Sequence, residues 1–290
     1  MKTILATLAF AAVLGAQNVS FERIVNAKSE PQNWLTYWGD YGAQRYRDLK
    51  QINTANVKDL RVEWIFQTGQ SGAFETVPLV VDGIMYFTAP NALAFAVDAR
   101  SGRQLWQFKY SLPENAKLCC GTVNRGFAIL GDRLFMVTPD AHLLALEAAT
   151  GRLIWNREFA STAQSYGATL APLAVKDKII VGVSGGEFGI RGYVDAFDAQ
   201  SGEHAWRFYT IPATGEPGGD SWAADSWKRG GGATWMTGTY DPKLNLLYWG
   251  VGNPGPDLYG EVRKGDNLYT AGLVAIDADT GKLKWHFQFT

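Results

Sequence analysis

The stretch "AVDARSGRQLW", residues 96–106, carries a pattern that occurs four times along the chain. The other copies are "ALEAATGRLIW" at 145–155, "AFDAQSGEHAW" at 196–206 and "AIDADTGKLKW" at 275–285. Each copy reads Ala-x-Asp/Glu-x-x-Ser/Thr-Gly-x-x-x-Trp. An alternating apolar strand that ends in Asp-x-x-Thr-Gly predicts a hairpin, because the glycine can adopt the left-handed conformation of a short bulged turn. The second strand then carries the Trp outward, where it can pack on a neighbouring unit.

Further strand–turn–strand patterns lie between these copies. They are "PLVVDGIMYF" at 78–87, "AILGDRLFMV" at 128–137, "LAVKDKIIVGV" at 173–183 and "TYDPKLNLLYWGVG" at 239–252. Short strands with turns at this spacing predict an all-β fold. A repeat of about 50 residues with four strands in each unit is typical of a β-propeller blade. We therefore predict a β-propeller with tryptophan-docking repeats over residues 17–290.

The N-terminal residues 1–16 have the features of a secretory signal peptide. Lys2 supplies one early positive charge, an apolar run extends from Ile4 to Leu14, and small residues follow. The run is too short to cross a bilayer, and no later segment reaches about 18 uninterrupted apolar residues. We therefore expect an exported, periplasmic protein without a membrane span.

Charge and composition exclude several classes of partner and site. The chain has 27 basic and 28 acidic residues, a formal net charge of −1 and no basic block, so neither nucleic acid nor anionic lipid is expected as a partner. The three histidines are scattered without metal-ligand spacing, and no C-x-x-C-H motif for covalent haem occurs.

The two cysteines of the chain, Cys119 and Cys120, are adjacent. Their α-carbons must lie about 3.8 Å apart, below the usual disulfide span of roughly 4.4–6.8 Å. A disulfide between them would close a small strained ring. In an oxidising compartment, however, cysteines are more often bonded than free. Residue chemistry alone leaves both states open.

Several landmarks in one order resemble the pyrroloquinoline quinone (PQQ) dependent alcohol dehydrogenases, the periplasmic quinoproteins. The resemblance extends over essentially the whole mature chain, beginning with the segment at 34–60. Its landmarks, besides the tryptophan repeat, are "CCGTVNRG" at 119–126, "SGGEFGIRGYVDAFDAQSGE" at 184–203, "GGATW" at 231–235 and "GVGNPGPD" at 250–257. The segment "GEPGGDSWAADSWKRGGGATW" at 215–235 is too long for a plain hairpin loop, and loops of this length are usually functional.

The resemblance implies a binding site for PQQ. Cys119 and Cys120 match a vicinal disulfide that lies over one face of the flat quinone, and Trp235 matches the indole that covers the other face. Arg125 matches an arginine beside the cofactor's carboxylate and quinone oxygens. The further residues implied to contact the cofactor are Glu75, Thr169, Ser184, Gly185, Gly186 and Glu187. Gly121 departs from the family, which often has an acidic residue directly after the cysteine pair.

The resemblance also implies a metal ion. Glu187 and Asn253 match the family's calcium-binding pair. Oxygen ligands suit a hard cation, and the cofactor would supply further ligand atoms toward the six to eight that calcium prefers. A lanthanide is not excluded.

The function implied is oxidation of an alcohol by hydride transfer to the quinone, with electrons passed to a periplasmic cytochrome c. The family's catalytic aspartate follows the segment that matches "TGKLKWHFQFT" at 280–290, so no residue of this chain is assigned as catalytic. We expect an N-terminal fragment with about half of an eight-bladed ring, inactive on its own. The alternative is a cofactor-free periplasmic propeller, a scaffold that binds other proteins.

Overall fold

The structure, a computed structural model, describes residues 18–114, 116 and 118–290. The predicted signal peptide, residues 1–16, lies outside these residues. Within them the one α-helix is α1 (Phe21–Val25). Short 3-10 turns lie at Ala27–Ser29, Val57–Asp59, Thr162–Gln164, Gly186–Phe188, Gly219–Ser221, Ser226–Arg229 and Gly260–Val262. In the described part of the chain, no helix has the length and apolar character needed to cross a membrane.

The strands of the described residues form four antiparallel sheets of four strands, each a meander in chain order. Blade 1 contains β1 (Leu79–Val81), β2 (Ile84–Ala89), β3 (Leu93–Asp98) and β4 (Gln104–Lys109). Blade 2 contains β5 (Ala128–Leu130), β6 (Arg133–Val137), β7 (His142–Glu147) and β8 (Leu153–Glu158). Blade 3 contains β9 (Leu173–Val175), β10 (Lys178–Gly182), β11 (Tyr193–Asp198) and β12 (His204–Tyr209). Blade 4 contains β13 (Thr239–Asp241), β14 (Leu246–Val251), β15 (Gly272–Asp277) and β16 (Leu283–Gln288). The predicted all-β propeller is confirmed.

The tryptophan motif forms the hairpin between the third and fourth strands of every blade. In blade 1, Ala96 lies directly opposite Trp106, and the register shifts between Ala96 and Val97. The same pairing and the same shift recur as Ala145 with Trp155, Ala196 with Trp206 and Ala275 with Trp285. A small residue opposite the indole leaves room for it, and the irregularity increases the local twist.

The acidic residue and the glycine of the motif build its turn. Asp98 Oδ1 accepts hydrogen bonds from the Ser101 backbone N–H and hydroxyl, both at 2.8 Å. Gly102 has φ +69° and donates its N–H to the Asp98 carbonyl at 2.8 Å. Residues other than glycine rarely adopt such a φ. The Asp-x-x-Ser/Thr-Gly pattern is therefore a local hydrogen-bonding unit.

A tryptophan from an earlier part of the chain packs against each motif glycine. A Cβ on Gly151 would lie 2.6 Å from the Trp106 ring, and Trp106 Nε1 donates to the Ala148 carbonyl at 2.9 Å. In the same way, a Cβ on Gly202 would lie 2.9 Å from the Trp155 ring, and a Cβ on Gly281 would lie 2.6 Å from the Trp206 ring. Blade 1 receives Trp64 on Gly102 in the same way, and the sequence pattern did not identify Trp64 as a docking residue. The tryptophans thus link the blades in order.

The N-terminal segment, residues 18–42, contacts all four blades. Val19 forms a β-bridge with Gly131 of blade 2, and Trp34 forms one with Val80 of blade 1. The Tyr41 hydroxyl donates to the Ala174 carbonyl of blade 3 at 2.6 Å, and Trp38 Nε1 donates to the carbonyl of Thr237, just before blade 4, at 3.0 Å. We call residues 18–42 the N-terminal strap.

Candidate functional site

The candidate site residues all lie at one end of the blades. In an antiparallel meander, the start of the first strand, the connection between the second and third strands, and the end of the fourth strand share that end. Glu75, Arg125, Thr169 and Trp235 precede the first strands of blades 1 to 4, respectively. The disulfide pair lies between β4 and β5, whereas residues 184–187 and Asn253 lie in the β10–β11 and β14–β15 connections.

Arg125 contacts three other candidate residues. Its Nη2 lies 2.5 Å from Glu75 Oε2, and its Nη1 donates to Thr169 Oγ1 at 2.6 Å. Its Cζ lies 4.9 Å from the centroid of the Trp235 ring. The guanidinium therefore gathers Glu75, Thr169 and Trp235 around one positive charge.

The residues on either side of Arg125 explain its fixed position. The buried Asn124 donates from Nδ2 to the Val137 carbonyl at 2.7 Å and accepts from the Gly126 N–H at 2.9 Å. A Cβ on Gly126, which has φ +124°, would lie 2.8 Å from the Val77 carbonyl oxygen. The segment "VNRG" is therefore held by hydrogen bonds and close packing on both sides of Arg125, which fixes the direction of the arginine side chain toward Glu75 and Thr169.

Ser184 has a buried hydroxyl without a hydrogen-bond partner among the described residues. Its backbone bonds in both directions to Gly167, at 2.8 and 3.1 Å, which fixes the loop. Gly185 has φ +111°, and a Cβ there would lie 2.2 Å from the Ser165 carbonyl oxygen. An unpaired buried polar group costs about 1–3 kcal/mol. The Ser184 hydroxyl is therefore an observation in favour of a bound polar ligand at this loop.

Trp235 exposes 42% of its surface beside the Arg125 cluster. The preceding residue, Thr234, is buried; its hydroxyl accepts from the Val183 N–H at 2.8 Å and donates to the Tyr193 carbonyl at 2.6 Å. These bonds fix Trp235 relative to the Ser184 loop. Sequence reasoning did not identify Thr234, although its place inside "GGATW" marked the position.

The loops that carry Glu187 and Asn253 meet at the glycine run 230–232. The Gly232 N–H donates to the Asn253 carbonyl at 3.0 Å, and Gly231 forms a β-bridge with Pro254. A Cβ on Gly186 would lie 3.9 Å from Gly231 Cα. Both Glu187 and Asn253 have exposed side chains.

The side chains of Glu187 and Asn253 offer at most three oxygen ligands, fewer than a hard cation needs. Across the part of the chain that the structure describes, no group of three His, Cys, Asp or Glu side chains is placed to hold a metal ion. Calcium prefers six to eight oxygen ligands. A metal held by Glu187 and Asn253 would therefore need ligand atoms from another molecule, as a polyanionic cofactor provides.

Cys119 and Cys120 form a disulfide with a Cα–Cα distance of 3.8 Å, which confirms the vicinal pair. Cys119 is half-buried and Cys120 is exposed. The following Gly121 has φ +72°, a conformation that favours glycine over residues that carry a side chain. The loop is tied to blade 1 where the Asn91 N–H donates to the Thr122 carbonyl at 3.1 Å. Within the described residues, no hydrogen bond joins the cysteine pair to the Arg125 cluster.

A family model described as "PQQ: Glucose/ethanol/alcohol dehydrogenase, beta-propeller domain" matches residues 34–290. Among curated proteins, the chain is 39% identical to the quinoprotein alcohol dehydrogenase PedH of Pseudomonas putida, covering 94% of this chain and 49% of PedH. It is also 39% identical to the quinohemoprotein alcohol dehydrogenase of Comamonas testosteroni, covering 91% of this chain and 40% of that protein.

Solved structures give the same result. A europium-containing methanol dehydrogenase superimposes with a TM-score of 0.89 at 37% identity, over 93% of this chain and 51% of its own. The quinohemoprotein alcohol dehydrogenase ADHIIG of Pseudomonas putida superimposes with a TM-score of 0.88 at 39% identity, over 94% of this chain and 42% of its own. The chain thus spans about half the length of the relatives it matches.

Proposed function

This chain belongs to the PQQ family of glucose, ethanol and alcohol dehydrogenase β-propeller domains, and from that membership we propose that it takes part in the PQQ- and calcium-dependent oxidation of an alcohol. The observation that supports this most is the Arg125 cluster together with the unpaired Ser184 hydroxyl at the same end of the blades. A cation can pair with the carboxylates of a flat tricarboxylate, an indole can stack on its ring, and a free hydroxyl can hydrogen-bond to its oxygens.

The residues present suit this cofactor. Trp235 offers an exposed ring for stacking, and the vicinal disulfide is the group that we propose to cover the opposite face of the cofactor. Arg125 would donate to the cofactor's carboxylate and quinone oxygens. The remaining contacts are proposed for Glu75, Thr169, Ser184, Gly185, Gly186 and Glu187.

Glu187 and Asn253 are proposed to hold the metal ion through a carboxylate and an amide oxygen. Such donors suit calcium. One relative is named for europium, so a lanthanide is the second candidate to be tested.

The bound cofactor and metal would supply a hydride acceptor and a Lewis acid. The protein's own residues would position these groups and keep water from them. Trp235 and the disulfide would cover the two faces of the cofactor, and the Glu75 carboxylate and the Thr169 hydroxyl hold the Arg125 guanidinium in place. The proton acceptor for the alcohol is assigned to no residue of this chain. We propose a periplasmic cytochrome c as electron acceptor, which the quinohemoprotein names of the Comamonas testosteroni enzyme and of ADHIIG support.

Binding of PQQ tests the proposal. PQQ added with calcium to the purified protein should quench tryptophan fluorescence, and Trp235→Ala should reduce affinity about tenfold because stacking contributes roughly 1.5 kcal/mol. Trp285→Ala is a matched control, since Trp285 is 43% exposed on blade 4 and lies outside the site. A protein that binds no PQQ, or equal losses in the two variants, would contradict the proposal and favour the cofactor-free scaffold.

A further inference from the structure

The side-chain amide of Asn253 is held by two acceptors from its own loop. Its Nδ2 donates to Asp257 Oδ1 at 2.7 Å and to the Pro254 carbonyl at 3.3 Å. A carboxylate and a peptide carbonyl can only accept hydrogen bonds, so the amide nitrogen has to be the atom that faces them. The amide oxygen, Oδ1, therefore points away from Asp257 and takes part in no hydrogen bond within the described residues.

The backbone beneath Asp257 is braced by Arg263. The guanidinium donates to the Pro256 carbonyl at 3.2 Å and to the Asp257 carbonyl at 3.5 Å. Its third contact is Asn267 Oδ1, at 2.8 Å, and Asn267 is only 4% exposed. The backbone of Asp257 is thereby connected through Arg263 to a buried residue, although both Asp257 and Asn253 are exposed.

We infer that Asp257 is a positioning residue for the metal site, an inference that rests on the metal role proposed for Asn253 and Glu187. The two ends of an amide have nearly the same size, so rotation by half a turn would exchange oxygen for nitrogen at little steric cost. Only the oxygen can bind a cation. Asp257 removes this ambiguity because it binds the nitrogen and leaves Oδ1 as the atom that would bind the metal ion. Partners of this kind, one step removed from a metal, fix ligand orientation and raise affinity.

The first test is the affinity of the PQQ-loaded protein for calcium, measured by isothermal titration. Asp257→Ala should lower calcium affinity about 10- to 100-fold, the usual effect of losing such a partner. Glu261→Gln is the matched control, because it removes an exposed carboxylate four residues further on and should leave the affinity unchanged. The unfolding midpoint of the metal-free Asp257→Ala protein should equal that of the wild type, since the lost hydrogen bond is exposed.

A double-mutant cycle separates positioning from a structural or direct ligand role. In the Asn253→Asp background the side chain has two equivalent oxygens, so its orientation no longer matters, and Asp257 would only repel it. Asp257→Ala should then leave calcium affinity unchanged or raise it. An equal loss of affinity in both backgrounds would overturn the inference.

Glu187→Gln distinguishes failure of the inference from failure of the proposed function. If Glu187→Gln leaves calcium affinity unchanged, the proposed metal site itself is wrong. If Glu187→Gln weakens calcium binding while Asp257→Ala does not, the metal site stands and the positioning role of Asp257 is wrong.

Discussion

Arg125 connects the polar and the aromatic parts of the candidate site. Its planar guanidinium donates in one direction to Glu75 and in another to Thr169, while its Cζ lies over the Trp235 ring. A lysine has a single point charge and could not make these three contacts together. At this position, therefore, the chemistry requires arginine and not merely a positive charge.

Ser184→Ala separates ligand binding from stability. The hydroxyl is buried and unpaired, so its removal should leave the free energy of unfolding of the ligand-free protein unchanged or slightly higher. The affinity for PQQ should fall about twofold to tenfold, the equivalent of one hydrogen bond of roughly 0.5–1.5 kcal/mol. Urea unfolding and fluorescence titration measure the two quantities.

Ser221→Ala is the control for this prediction. The Ser221 hydroxyl donates to the Gly218 carbonyl at 2.6 Å and accepts from the Leu268 N–H at 2.9 Å. Its loss should lower stability and leave PQQ affinity unchanged. A Ser184→Ala protein that is destabilised like Ser221→Ala, with normal PQQ affinity, would show that Ser184 has a structural role instead.

At the scale of the structural element, the repeated hairpin combines a turn with a docking surface for tryptophan. The glycine of each turn has a positive φ and lies beneath an indole from an earlier part of the chain. The effect of the positive φ and the effect of the contact with the indole can be measured separately, because some glycines with a similar φ have no neighbouring atoms where a side chain would lie.

Gly151→Ala and Gly131→Ala form a matched pair. Gly131 has φ +63°, and a methyl group at this position would have no neighbour within 4 Å, so its substitution should cost only the left-handed backbone strain of about 1–2 kcal/mol. Gly151 has φ +73°, and its methyl would also clash with Trp106, adding about 1–3 kcal/mol from overpacking. Urea unfolding measures both values. Equal losses of stability in the two variants would mean that the packing of Trp106 does not require a glycine at position 151.

The motif carboxylates predict how stability changes in acid. Hydrogen bonds from the Ser or Thr three positions further on lower the pKa of each carboxyl below its ordinary value of 3.8, or of 4.5 for the glutamate. These carboxyls are Asp98, Glu147, Asp198 and Asp277. Because the folded pKa lies below the unfolded one, the ionised form stabilises the fold. This contribution is complete above the ordinary pKa and is lost as pH falls through the folded pKa.

We expect the unfolding temperature of the wild type to fall as pH decreases below about 4. Asp198→Asn keeps the acceptor oxygen but removes the charge, so its unfolding temperature should fall less over the same range. Circular dichroism melts from neutral pH to pH about 2 measure the difference. Asp59→Asn, which removes an exposed carboxylate outside the four tryptophan motifs, should retain the wild-type slope. Parallel curves for Asp198→Asn and the wild type would contradict the prediction.

At the scale of the whole molecule, the N-terminal strap holds the blades together at positions far apart in sequence. Tyr41 is buried, and its hydroxyl bonds to the Ala174 carbonyl of blade 3. Its ring also packs edge-on against Tyr240 of blade 4, with centroids 5.2 Å apart. Burial raises the pKa of Tyr41 well above its ordinary value of 10.0, so the hydroxyl remains a donor at physiological pH.

Tyr41→Phe should lower the free energy of unfolding by about 1 kcal/mol, because the ring stays and only one buried hydrogen bond is lost. Tyr46→Phe is the control, since Tyr46 is 64% exposed and its substitution should fall within about 0.5 kcal/mol of the wild type. Urea unfolding measures both variants. If Tyr41→Phe is as neutral as Tyr46→Phe, the strap does not bond to blade 3 in solution.

The sequence by itself determined the features that depend on neighbours within a few residues. The Asp98–Ser101 turn, the alternation of the strands and the tryptophan at the end of each repeat are local, so one reading of the motif predicted the blades. The cofactor and metal residues were predicted from the resemblance to the PQQ-dependent alcohol dehydrogenases, and their roles stay predictions. The signal peptide and the periplasmic location likewise stay predictions.

Only the tertiary structure decided which distant residues meet. Trp64 docks on Gly102, Arg125 bonds to Thr169 across 44 positions, and the Ser184 hydroxyl is left unpaired. Asp257 lies just four residues from Asn253, yet the role that we propose for it depends on the turn that Arg263 stabilises. These contacts form when one blade packs against the next and when loops from different blades meet at one end. A local sequence pattern specifies a hairpin, but it does not encode the distance between two hairpins, and that distance sets the geometry of the site.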